Sequence, residues 1–169
     1  ADYTQPKLPN LEAFLYDWGI VVGEGIVYES DESVAYANMP ALNTLTFIDT
    51  DITLQSALAN VSAFGNYGRP AMIADVLEVK IKNSVVLEHS ETSKIGSIQN
   101  GTFVKNEESD AFNYPAMAIT TQEKYNQDID IVSSSLIFVN SLGFFEDQLF
   151  ERDYSANPEV TMAAIDSVL

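Results

Sequence analysis

The sequence predicts an α/β domain: an open sheet, mostly parallel or mixed, with flanking helices. Three observations point there. Leu136, Ile137, Phe138 and Val139 form a short continuous apolar run, the pattern of a strand buried on both faces. The polar pair Asn140-Ser141 ends that run, a loop through Gly143 follows, and Asn157-Pro158 opens a helical stretch that closes the chain at Leu169. This is a β-loop-α unit, and in an open α/β sheet such strand ends face the ligand crevice. Near the other end, Leu11, Phe14, Leu15 and Trp18 fall at i, i+3, i+4 and i+7, one face of an amphipathic helix.

The remaining elements follow in order. Residues 1–9 are polar, carry Pro6 and Pro9, and form an extended lead-in. Pro9 or Asn10 starts the first helix and Gly19 suits the position just past its end. Residues 20–22 read as a short extended piece before the turn Gly23-Glu24-Gly25, and residues 26–29 as a short strand. Residues 30–43 are polar and irregular around Pro40. Residues 45–48 form a strand, Thr50 or Asp51 caps a helix reaching Ala59, and residues 61–64 form another strand, ended by Gly65-Asn66-Tyr67-Gly68-Arg69-Pro70. Leu77, Val79 and Ile81 alternate with Glu78, Lys80 and Lys82, as in a half-buried strand. A turn at Asn83-Ser84 leads to a further strand over residues 85–89. Ser90-Glu91-Thr92-Ser93 is a hydroxyl-rich loop, and residues 96–114 are loop-like and acidic. Residues 115–121 are a strand of small and apolar residues, and residues 122–134 are a polar connection with a hairpin tip. No repeat, low-complexity tract or internal linker divides the chain, so residues 1–169 are read as one domain.

Composition narrows the function classes. The chain has 169 residues, 46% hydrophobic and 20% charged, enough for a sizeable core and ordinary for a globular protein. Eight basic residues stand against 25 acidic ones, a formal net charge of -17. Such a surface repels phosphate backbones and anionic headgroups, so nucleic acid is not expected as a partner. The absence of cysteine removes disulfides, thiolate catalysis and cysteine-based zinc sites. No stretch approaches the about 18 apolar residues that span a bilayer. The chain begins Ala1-Asp2-Tyr3 and closes on a helical pattern, and it reads as a piece of a longer protein.

Chemistry-bearing motifs are sparse. His89 is the single histidine, at the end of an expected strand. Ser90, Ser93 and several acids are near it in sequence, but a Gly-x-Ser-x-Gly elbow is absent. His89 is therefore either a general base or an ordinary strand-end histidine. Asp49 and Asp51 suit a helix start better than a catalytic carboxylate pair. Asn126-x-Asp128-x-Asp130 begins like a calcium loop, but Ile131 stands where glycine is required and Ile137 where the bidentate glutamate is required. No metal or cofactor is expected. Gly23-x-Gly25 lacks a third glycine and a following helix, so it is a turn rather than a phosphate loop. Tyr67 beside Gly68-Arg69-Pro70 is the loop aromatic best placed to hold a ligand or partner.

Taken together, the segments resemble one family. Leu8-Pro9-Asn10-Leu11, Phe14-Leu15 and Trp18-Gly19-Ile20-Val21-Val22-Gly23, with Gly25-Ile26-Val27, resemble the leucine-rich helix and Gly-Ile-x-Val-Gly segment of the Gldg family. These are auxiliary proteins of ABC-2-type transporters of the gliding-motility kind. Thr50-Asp51-Ile52-Thr53, Val86-Leu87-Glu88-His89-Ser90-Glu91-Thr92-Ser93, Met117-Ala118-Ile119, the 137–145 stretch and residues 157–165 are similar to later segments, in the same order. The chain departs from the pattern at Asn140, where the family's closing loop carries Gly-Asp. The resemblance implies a glutamine-amidotransferase-like α/β fold without the catalytic residues. It also implies a domain outside the cytoplasm, tethered to the cell membrane through segments outside this chain.

Two functions follow as expectations. The first is a non-enzymatic accessory domain of an ABC-type transport system, with the permease/ATPase complex as partner or a glycan or peptide as ligand. Its expected site residues lie at strand ends: Ser90, Thr92, Ser93, Asn140 and Ser141. The second is a hydrolase or amidotransferase relative with a site around His89, which requires a hydroxyl and an acid within hydrogen-bond reach of the imidazole.

Overall fold

The computed structural model describes residues 7–35, 39–48, 62–74, 80–125, 131–146 and 155–169. Its elements are helix α1 (Pro9–Asp17), strands β1 (Ile20–Val22), β2 (Ile26–Glu29), β3 (Leu42–Phe47), β4 (Ala63–Asn66), β5 (Ala71–Ile73), β6 (Ile81–Glu88), β7 (Ser93–Gln99), β8 (Thr102–Val104), β9 (Pro115–Tyr125) and β10 (Ile131–Val139), a 3₁₀ turn (Leu142–Phe145), and helix α2 (Asn157–Asp166). Five strands form the main sheet in the order β10-β9-β6-β3-β4. Three more form β2-β7-β8, and β1 pairs with β5.

Every pairing between these strands is antiparallel. The expected α/β, parallel or mixed, glutamine-amidotransferase-like fold is therefore corrected to a mostly antiparallel β architecture with two described helices. The physical reason lies in β10. Its odd residues Ile137 and Val139 pack on one cluster with Met117, Leu87, Phe144 and α2's Val160 and Ala164. Its even residues Leu136 and Phe138 pack on a second, with Leu15, Ile20, Ala71, Val22 and Ile73. Both faces of this half of the strand are covered, so the run is continuously apolar. Burial on two faces is what the sequence pattern reports, and here α2 covers one face while α1 and the β1-β5 pair cover the other. Strand direction is a separate matter, and β10 is an antiparallel edge strand whose Val132 to Ser135 stretch is exposed.

Other boundaries shift for local reasons. The turn expected at Asn83-Ser84 is absent, because β6 runs unbroken through it along β9, from Ile81 opposite Gln122 to Glu88 opposite Pro115. The connection expected over 122–134 is largely strand, with β9 and β10 in register from Met117↔Val139 to Tyr125↔Ile131. The stretch 96–114 contains most of β7 and all of β8, joined at Asn100 (φ 50°) and Gly101 (φ 75°). Two consecutive left-handed residues make the hairpin turn for which Asn-Gly is the preferred pair. The helix expected from Thr50 or Asp51 to Ala59, and the Asn126–Asp130 stretch, lie outside the described residues. Helix α1 forms as expected, but only Leu15 of its stripe is buried, while Leu11 and Phe14 remain about half exposed.

The outer edge of β4 is closed by the segment that opens α2. Ser62 bridges Ser155, and the Ala156 N–H donates to the Ser62 carbonyl at 3.0 Å. The fully buried Asn157 side chain then acts as a substitute peptide. Its Oδ1 accepts from the Phe64 N–H at 2.8 Å, and its Nδ2 donates to the Phe64 and Phe144 carbonyls at 2.9 and 2.8 Å. One side chain thus bonds three backbone groups.

Candidate functional site

Two polar clusters diverge from the β6-β7 connection. Strand β6 ends at Glu88, and the next two side chains point into different surroundings.

Ser90 belongs to the first cluster. Strand β2 carries Ile26, Val27 and Tyr28 into the interior and ends with Glu29, which is also buried. The Glu29 carboxyl accepts from the Ser90 hydroxyl, from the Thr92 hydroxyl at 2.6 Å and from the Asp31 N–H at 2.8 Å. Ser90 Oγ also lies 3.0 Å from Thr92 Oγ1 and 3.1 Å from Ser93 Oγ. Ser30 Oγ donates to the Thr92 carbonyl at 2.5 Å, tying the loop to the end of β2. Among the described residues no lysine or arginine bridges Glu29. The carboxyl is held by hydroxyl and amide donors, the bonding that lets a buried acid be accommodated. Thr92 is exposed, Ser90 is partly so, and Ser93 is fully buried where β7 begins.

His89 belongs to the second cluster. It is buried, at 1% exposure, and burial alone pushes its pKa down to about 3, so the ring is neutral near pH 7. Its Nε2 lies 3.1 Å from Asn140 Nδ2, which also donates to the Arg69 carbonyl at 2.9 Å. That carbonyl fixes the amide orientation, because the reversed amide would set two oxygens against each other. His89 Nε2 is therefore the acceptor, and the proton sits on Nδ1, which has no partner among the described residues. Gly68 lies against this amide: a Cβ there would fall 2.9 Å from Asn140 Oδ1. Ser141 bonds the backbone of β4. Its Oγ accepts from the Asn66 N–H at 3.1 Å and donates to the Asn66 carbonyl.

The structure thus brings Ser90, Thr92 and Ser93 together and leaves Asn140 and Ser141 apart from them. Asn140 and Ser141 spend their hydrogen bonds on the β4-β5 turn, on His89 and on β4 itself. The crevice rule that nominated all five applies to parallel strand ends, and the antiparallel sheet removes that ground. What keeps the first three is their geometry about Glu29. Sequence reasoning does not find Glu29. Its only signal is a single acid closing an apolar strand, and acids are abundant in this chain. His89 has neither a hydroxyl nor a carboxyl bonded to it among the described residues, so the arrangement a general base needs is not found around it. No group of three or more His, Cys, Asp or Glu side chains able to hold a metal occurs among the described residues, and none of the described helices is long and apolar enough to cross a membrane. Compared with known proteins, the chain matches no family model, no curated protein and no solved structure.

Proposed function

We propose that this chain is a non-enzymatic binding domain that works outside the cytoplasm as an accessory part of an ABC-type transport system. It is tethered to the cell membrane by segments beyond this chain, and it engages the permease/ATPase complex through the 90–93 loop. A glycan or peptide ligand is the other occupant of the same loop. The observation that carries the binding role is the loop's construction. A buried carboxyl gathers Ser90 and Thr92 hydroxyls at the surface, and pre-ordered polar groups bind without a further ordering cost. The transport setting rests on the order of the segments that resemble the Gldg family, from Leu8 to residues 157–165.

The test is the affinity of the detergent-solubilised permease/ATPase complex for the immobilised domain. Replacing Ser90 and Thr92 by alanine removes two surface hydroxyls that contribute about 0.5–1.5 kcal/mol each. The double variant is expected to melt lower, because buried Glu29 loses two donors, and to bind about tenfold more weakly at a temperature where its circular dichroism spectrum still matches wild type. Equal affinity for variant and wild type contradicts the site.

A further inference from the structure

The turn from β4 to β5 holds a residue that its backbone disfavours. Tyr67 has φ 53°, the left-handed region where a Cβ crowds the following carbonyl and where asparagine and glycine are at ease. Its neighbours leave it no freedom. Asn66 is bonded through both backbone groups to Ser141 Oγ. The Tyr67 N–H donates to the Ala41 carbonyl at 3.1 Å, and the Gly68 carbonyl accepts from the Val27 N–H at 2.8 Å. Arg69 is bonded on both sides to Asn140. The Tyr67 side chain takes no part in this: it is 51% exposed, and no hydrogen bond or ring contact holds it among the described residues. The fold therefore over-determines a strained backbone and leaves about half of the tyrosine open to solvent, with no hydrogen bond or ring contact on its side chain among the described residues.

We propose that Tyr67 is the recognition aromatic of a second binding site, and that its occupant is a cationic side chain, guanidinium or ammonium, from a basic segment of a protein partner. Charge selects this occupant. The ring face is the negative end of an aromatic quadrupole. The exposed Glu146 carboxyl lies beside the turn, its Oε2 3.4 Å from Asn66 Nδ2. Arg69, two residues along, does not compensate this charge for a ligand, because its guanidinium is occupied by Glu12 at 3.0 Å and the Gly23 carbonyl at 3.0 Å. A chain of net charge -17 attracts cations from a distance, and the ring supplies a local contact that diffuse charge does not. The proposal does not depend on the role given to the 90–93 loop.

The probe is a tetra-arginine peptide titrated into the full chain at fixed ionic strength, followed by amide NMR shifts around Gly68, with tetraglutamate as control. Tetra-arginine is expected to bind, and tetraglutamate is not. Tyr67→Phe keeps the ring and the affinity. Tyr67→Asn loses the ring but suits the backbone, so it weakens binding about two- to fivefold, the size of an exposed cation–π contact, while its melting temperature stays level or rises by about 2–4 °C. Equal binding by Tyr67→Asn, or no binding by wild type, overturns the site. A lower melting temperature for Tyr67→Asn overturns it too, because the ring would then be holding the fold.

Discussion

At the scale of single residues, the polar interior explains more than the surface does. Asn140 uses one amide to satisfy His89 Nε2 and the Arg69 carbonyl. Asn140→Ala leaves both acceptors buried and unpaired, and it is expected to cost about 2–3 kcal/mol in urea unfolding. His89 makes the protein sensitive to acid. The folded protein protonates the ring only near pH 3, whereas the unfolded chain does so near pH 6.5. Between those values the unfolded state binds more protons, so this contribution is complete above about pH 6.5 and is lost as pH falls toward 3. The loss approaches roughly 1.4 kcal/mol per pH unit and reaches about 2 kcal/mol by pH 5. Against His89→Gln, wild type is expected to show a steeper fall in stability from pH 6.5 to 5, and parallel profiles would contradict the buried neutral ring. Little of this is legible in the sequence. That Ser90, Thr92 and Ser93 form a hydroxyl-rich loop can be read from four consecutive letters. That Glu29 organises them cannot, because 61 residues separate Glu29 from Ser90 and nothing local marks the pair.

At the scale of elements, the sequence is most legible where one short stretch decides the outcome. Helix α1 follows from its apolar spacing and Pro9, and α2 from Asn157-Pro158. The β7-β8 hairpin has an equally local signal in Asn100-Gly101, but the acids that follow make the whole stretch read as a loop. Gly101 stands at φ 75° with open space where a Cβ would project, so Gly101→Ala adds backbone strain without a clash and is expected to cost about 1 kcal/mol. Asn157 has a larger role than a helix start suggests, since it finishes the edge of β4. Asn157→Ala removes three buried hydrogen bonds to the backbone and is expected to cost about 3 kcal/mol. Amide exchange should quicken first at Phe64, whose N–H loses its bond to Asn157. Retained protection there would contradict the capping of β4 by this side chain.

At the scale of the whole molecule, fold class is the least legible property. Val139 pairs with Met117, and Ser84 pairs with Ile119, contacts that join distant segments and leave no periodic mark in either one. The apolar run of β10 reports correctly that this half of the strand is covered on both faces, and it is silent on direction. The binding role of the 90–93 loop needs only its local geometry about Glu29, so it does not depend on a parallel sheet. The most direct measurement places a photo-crosslinking residue at Thr92 in the full-length protein in its own cells, with one at exposed Gln99 on the far end of β7 as control. An adduct with the permease from position 92, and none from position 99, is the predicted result. Adducts from neither position, or equally from both, would contradict the 90–93 loop as the surface that meets the transporter.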